Sequence, residues 1–174
     1  MTLLALAKHR QYNNIQPVPC DLGELERFLC QDISGRNVHL IHVNTLDTLL
    51  VKTLLSELFV DITQPNIPKY VIVYNTITLQ RKKQNMYTEL VGVDFFDHDY
   101  LLLLLNGHRF LPKFRLLTPE EREETLKCFP FESLPCMVDK DPMSLLNDYK
   151  VGDLVLIERP REVPYIRKIV RDDS

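Results

Sequence analysis

Asp148 and Lys150 are the one acid-x-lysine pair in the chain, since no other lysine has an acid two places before it. On a strand, alternate residues share a face. An acid and a lysine placed so on a small mixed sheet would suit a metal-dependent nuclease. This pair falls at the end of an expected helix, beside the turn into the next strand. Gln80-Arg81-Lys82 is a weaker variant and also lies off the expected strands. His39 and His42 stand three apart on an expected strand, so their side chains face opposite sides and make a poor metal pair. Asp97-His98-Asp99 has the residue types of an acid–base set but reads as a solvated turn.

The other signatures of catalysis are missing. There is no GxSxG, no phosphate-binding P-loop and no GxGxxG, and the five glycines never cluster. Cys20, Cys30, Cys128 and Cys136 show no CxxC spacing and no histidine at a zinc-like offset, so they read as reduced thiols. The expectation is no catalytic set, no metal and no cofactor. What remains is charge. Arg81-Lys82-Lys83 is the one basic triplet, and it reads either as a solvated helix face or as a phosphate contact that salt would weaken. Arg159, Arg161, Arg167, Lys168 and Arg171 form a second basic set in the closing strands, suited to an acidic protein surface or to nucleic acid.

The whole chain sets the background. Its 174 residues suit one medium domain or two small ones, and 45% hydrophobic with 26% charged residues suits a folded protein. A net charge of −3 excludes the overall basic character of a general nucleic-acid binder. The five leucines of "DYLLLLLNGHRFLPKF" lie between Asp99 and Asn106, and a membrane helix needs about 20 apolar residues. "MTLLALAKHR" carries its charges after its apolar part, the reverse of a secretory signal. The expected location is intracellular, with no membrane partner.

The elements follow from periodicity. "TLLALAKHR" and "CDLGELERFLCQD" have helical spacing, and Gly35 breaks the pattern. "NVHLIHV" (37–43) and "KYVIVYN" (69–75) read as buried strands. "DTLLV" reads as a short strand, and "KTLLSELFVDIT" (52–63) as a helix that Pro65 and Pro68 end. Strand, helix and strand make a βαβ-like unit with parallel pairing. "TITLQRKKQNM" reads as a turn and a short polar helix, and "ELVGVDFF" (89–96) as a strand. The leucine run is expected as a returning buried strand, and leucine's own preference keeps a helix as the alternative.

Beyond it, "GHRFLPKFRLL" has no period and reads as a connector. Thr118-Pro119-Glu120-Glu121 opens a helix with a capping box, and Asp141-Pro142 opens a shorter one. "VGDLVLIER" (151–159) and "YIRKIV" (165–170) read as antiparallel neighbours. The fold class is α+β. A mixed α/β domain covers 1–106, a connector 107–117, and a small domain of helices on a mixed sheet 118–174.

The order of motifs in the last part resembles a known family. Leu116-Leu117-Thr118-Pro119-Glu120-Glu121, Leu134-Pro135, Asp141-Pro142, Val151 to Arg159 and Tyr165 to Val170 follow one another at matching spacing. This resembles the small subunit shared by the three nuclear DNA-directed RNA polymerases, together with its archaeal counterpart. "NVHLIHV", "KTLLSELFVDITQPNIPKYVIVYN" and "YLLLLLNGHRFLP" resemble the eukaryotic N-terminal jaw domain. The chain departs from the family in Phe114, where the family has a histidine, and in a shorter loop between Arg159 and Tyr165. That divergence resembles a large DNA virus polymerase, such as that of asfarviruses.

The resemblance implies a non-catalytic subunit, one copy per complex. It implies docking on the largest polymerase subunit, among other polymerase subunits, through Pro135, Asp141, Pro142, Gly152, Arg159, Tyr165 and Arg167. It also implies a jaw near downstream duplex DNA, with Arg81, Lys82 and Lys83 making weak, sequence-independent contact. The setting implied is host cytoplasm and virion for a viral member, or the nucleus for a cellular one. A divergent nuclease and a free-standing adaptor are the alternatives.

Overall fold

The computed structural model describes residues 2–19, 25–58, 68–80, 83–84, 86–88, 92–107 and 111–172. They fall in two compact units, Met1–Leu105 and Asn106–Ser174. Both are α+β with a mixed sheet.

The first unit is built on a sheet of order β1-β2-β3-β4-β5, formed by Asn13–Pro17, Glu26–Gln31, Asn37–Leu46, Lys69–Ile77 and Val93–Asp97. β1, β2 and β3 pair antiparallel, and β3, β4 and β5 pair parallel. The expected βαβ unit is therefore present, with α2 (Thr48–Leu58) as its crossover helix. Both faces of the central strands are apolar because both are covered. On one face Ile41, Val43, Tyr70, Ile72 and Val93 pack with Val51 and Leu54 of α2. On the other, α1 (Thr2–His9) and α3 (His98–Leu105) touch each other and the sheet, burying Leu3, Leu6, Ala7, Leu101 and Leu104.

Several local readings change. The leucine run is α3, a helix, and not a strand. Leu101 is 0% exposed and Leu103 is 48% exposed, although a strand would put both on one face. Five identical residues carry no period, so length and flanking turns pointed the wrong way. The flanks are helix signals: Asp97 Oδ1 accepts the Tyr100 N–H at 2.9 Å, and Gly107 has a left-handed φ of 65°. Asp97-His98-Asp99 is thus the strand end and helix start rather than a turn.

"DTLLV" opens α2 instead of forming a strand, because Asp47 Oδ1 accepts the Leu50 N–H at 2.7 Å. Of the helix expected over 52–63, residues 52–58 are helical and the remainder lies outside the described residues. Glu26–Gln31, expected as part of a helix, is β2. Its hairpin partner lies six residues on, and Asp32 Oδ1 closes the turn by accepting the Ser34 and Arg36 N–H groups at 2.8 and 2.9 Å. Pairing on both sides outweighed the helical spacing of Leu25, Phe28 and Leu29.

The second unit has a sheet of order β6-β8-β9-β7, formed by Lys113–Leu116, Leu154–Glu158, Tyr165–Val170 and Cys136–Val138. Lys113–Leu116, expected within the irregular connector, is edge strand β6 beside β8. β8 and β9 are antiparallel, as expected, and the short β7 joins β9 in parallel. The capping box of α4 (Pro119–Cys128) is complete: Thr118 Oγ1 accepts the Glu121 N–H, and Glu121 Oε2 accepts the Thr118 N–H at 2.9 Å. Asp141 caps α5 (Pro142–Asn147) by accepting the Met143 N–H at 2.8 Å. Two small cores result, one around Val155, Ile157 and Ile169, the other around Leu117, Leu134 and Leu154.

Candidate functional site

In the second unit the expected docking residues have different local jobs. Pro135 accepts the Lys168 N–H at 2.9 Å through its carbonyl, which seats β7 against β9. Asp141 and Pro142 start α5. Gly152 takes a φ of 95°, its N–H donates to the Ile169 carbonyl at 2.9 Å, and its own carbonyl accepts from Arg122 Nη1 at 2.7 Å. A left-handed bend leading into β8 favours glycine there. These four residues shape the surface.

Tyr165, Arg167 and Arg159 are the ones that present chemistry. The Arg167 guanidinium lies over the Tyr165 ring at 5.6 Å, and Arg159 faces Glu162 at 3.8 Å across the β8–β9 turn. Arg167 donates a long hydrogen bond of 3.4 Å to the Cys136 carbonyl, while its buried Nε has no hydrogen-bond partner among the described residues. Lys168, from the same basic set, is not a surface charge. Its ammonium is buried over the Phe131 ring and donates to the Phe131 and Glu132 carbonyls at 3.0 and 2.9 Å.

The basic triplet belongs to the first unit. Arg81 and Lys82 lie outside the described residues. Lys83 follows β4 and reaches Thr48 Oγ1 at 3.4 Å, at the start of α2. It therefore stands by the carboxyl ends of two parallel strands, where Leu46 accepts from the Thr78 and Leu79 N–H groups. In open α/β sheets this is the end that meets ligands.

The same end carries a polar group that the sequence alone did not assemble. His42 Nε2 bonds Asn75 Oδ1 at 3.0 Å, and Asn75 Nδ2 bonds Asn44 Oδ1 at 3.1 Å. The His42 ring stacks on His98 with centroids 5.3 Å apart. His98 Nε2 meets Thr2 Oγ1 at 2.9 Å, and its Nδ1 meets Asp99 Oδ1 at 3.1 Å. His39 stacks instead on Tyr70, on the opposite face, as the strand period requires. His42 and His98 each drew notice in the sequence, but only parallel pairing of β3, β4 and β5 brings them together.

Asp148 and Lys150 form an exposed ion pair at 2.5 Å, off the strands. Asp148 ends α5 in the left-handed conformation, with φ 58°. Lys150 N–H also donates to Asp153 Oδ2 at 2.7 Å, so the two acids serve the turn. Among the described residues no three His, Cys, Asp or Glu side chains are grouped to hold a metal ion. No described helix is long and apolar enough to cross a membrane.

Residues 104–165 match the family model described as RNA polymerase Rpb5, C-terminal domain. No curated protein matches the chain. Among solved structures the chain is similar to one titled "Structure of EndoMS in apo form", with a TM-score of 0.36 and 17% identity. The likeness covers 48% of this chain and 37% of that one, and at this TM-score it carries no argument about fold or function.

Proposed function

We propose, on the premise that residues 104–165 belong to the RNA polymerase Rpb5 C-terminal domain family, that the chain is a non-catalytic subunit of a multisubunit DNA-dependent RNA polymerase. The family match is the observation that carries this reading. The architecture agrees with it. The second unit has two small cores and a short sheet, and a unit of that size is commonly completed by packing on a partner.

In this reading the second unit docks on the largest polymerase subunit. Arg159, Tyr165 and Arg167 supply the chemistry of contact, while Pro135, Asp141, Pro142 and Gly152 hold the backbone that presents them. A stacked, partly satisfied guanidinium such as that of Arg167 suits a carboxylate or carbonyl of the partner. The first unit then serves as part of the lower jaw, and the 81–83 segment faces downstream DNA. Lys83, at the carboxyl ends of the parallel strands, supports that placement.

The DNA contact is tested by reversing two charges, Lys82→Glu with Lys83→Glu, in the assembled polymerase. Losing two phosphate contacts is expected to weaken retention on duplex DNA severalfold, more at low salt than at high. An unchanged salt profile would remove the triplet from the DNA-facing role and leave the family assignment standing.

A further inference from the structure

Of the nine asparagines in the chain, Asn106 alone precedes a glycine. The other eight are followed by Asn, Ile, Val, Thr, Met or Asp. An asparagine carries an electrophile, its amide carbon, within reach of the next backbone nitrogen. Closing the two into a ring is hindered by a side chain on the following residue. Glycine has none, and it leaves the backbone the freedom that closure needs.

The structure leaves this pair open. Asn106 and Gly107 are both exposed, in the turn that ends α3. A Cβ placed on Gly107 would meet nothing within 4 Å, so water and base reach its nitrogen. Among the described residues none hydrogen-bonds to the Asn106 side chain or to the Gly107 N–H. Other asparagine amides are held. Asn14 Nδ2 donates to Gln31 at 2.7 Å, Asn75 Nδ2 to Asn44 at 3.1 Å, and Asn147 Nδ2 to the Met143 carbonyl at 2.8 Å. A held amide must break that bond before it can swing onto its own main chain. Two independent features, the following residue and the freedom of the side chain, therefore single out Asn106.

From these observations we propose that Asn106-Gly107 is a self-modification site, independent of the polymerase reading. The Gly107 nitrogen gives its proton to a solvent base, and its electron pair attacks Asn106 Cγ. The N–Cγ bond forms, the Cγ–Nδ2 bond breaks, and Nδ2 takes up a proton and leaves as ammonia. Water then opens the cyclic imide. Opening at Cγ gives aspartate at 106. Opening at the Asn106 main-chain carbonyl gives an isoaspartyl link, with the main chain running through the side chain. Water is the only co-reactant, and nothing is oxidised or reduced. Either product puts a carboxylate at the end of α3, where the helix dipole is already negative. The last turn of α3, Leu102–Leu105, is loosened as a result. Leu105 closes the first unit and Asn106 opens the second, so the change falls at their boundary.

The test incubates the folded full-length chain in mildly alkaline and in mildly acidic buffer and maps its peptides by mass spectrometry. Amide-to-acid conversion is expected at Asn106 many-fold faster than at Asn14, Asn75 or Asn147, and faster in the alkaline buffer, since the attacking nitrogen must lose its proton. Fragmentation is expected to show both aspartyl and isoaspartyl products, with ammonia released in equal amount. Asn106→Gln keeps an amide but must close a larger ring, and it is expected to stop the reaction at this position. Asn106→Asp installs the charge directly, and amide exchange over Leu102–Leu105 is expected to quicken severalfold against the parent. Conversion at Asn106 no faster than at Asn75 would overturn the site. Exchange in Asn106→Asp equal to the parent's would overturn the loosening of α3.

Discussion

Asp94 is the residue on which two buried cations converge. Its Oδ2 lies 3.1 Å from both Arg10 Nη2 and Lys69 Nζ, and its side chain is 13% exposed. Arg10 also donates to the Tyr12 hydroxyl at 2.9 Å and lies over the Phe96 ring. Removing one partner of a buried pair costs more than the pair contributes, because the other charge stays desolvated. Asp94→Asn is expected to destabilise the chain by about 3 kcal/mol in denaturant unfolding, and a loss under about 1 kcal/mol would show that other groups hold the two cations. Glu121 makes the opposite kind of pair, on the surface. The Arg115 guanidinium at 2.6 Å, with help from the Thr118 N–H, holds its carboxyl down to about 2. The folded value lies below the unfolded one, so the stabilisation is present above the unfolded value and is lost as pH falls toward 2. Glu121→Gln is expected to flatten the stability profile of the second unit between about pH 4.5 and 2, and a profile as steep as the parent's would contradict the pairing.

At the scale of elements, the helix starts were the most legible features and the leucine run the least. Thr118 with Glu121, and Asp141 with Pro142, announce their helices because capping is local chemistry that neighbours in sequence supply. β3, β4, β8 and β9 were legible because β-rich, buried runs have a period of their own. β2 and the "DTLLV" segment were misread because three or four apolar residues fit two periods, and pairing across the sheet chose between them. The candidate docking residues follow from motif order alone, whereas the His42–Asn75–His98 group depends on which strands pair. For α3 the reading has a direct consequence. Leu101→Ala is expected to cost about 2–5 kcal/mol, and Leu103→Ala less than about 1 kcal/mol. Equal losses in thermal or denaturant unfolding would restore the strand, which places both leucines on one face.

The whole molecule is two units, and the proposal assigns each a task in one assembly. The second carries the family match and the proposed contact with the largest subunit. The first carries the rim where Lys83 and the histidine stack lie. The central claim is membership of a polymerase, and stoichiometry tests it most directly. The full-length chain, affinity-tagged and isolated from its native cells, is weighed against the largest RNA polymerase subunit in the same eluate by quantitative mass spectrometry. The expected result is a near-equal amount of the two, stable to gel filtration. Recovery of the chain without any polymerase subunit would contradict the account and favour a free-standing adaptor.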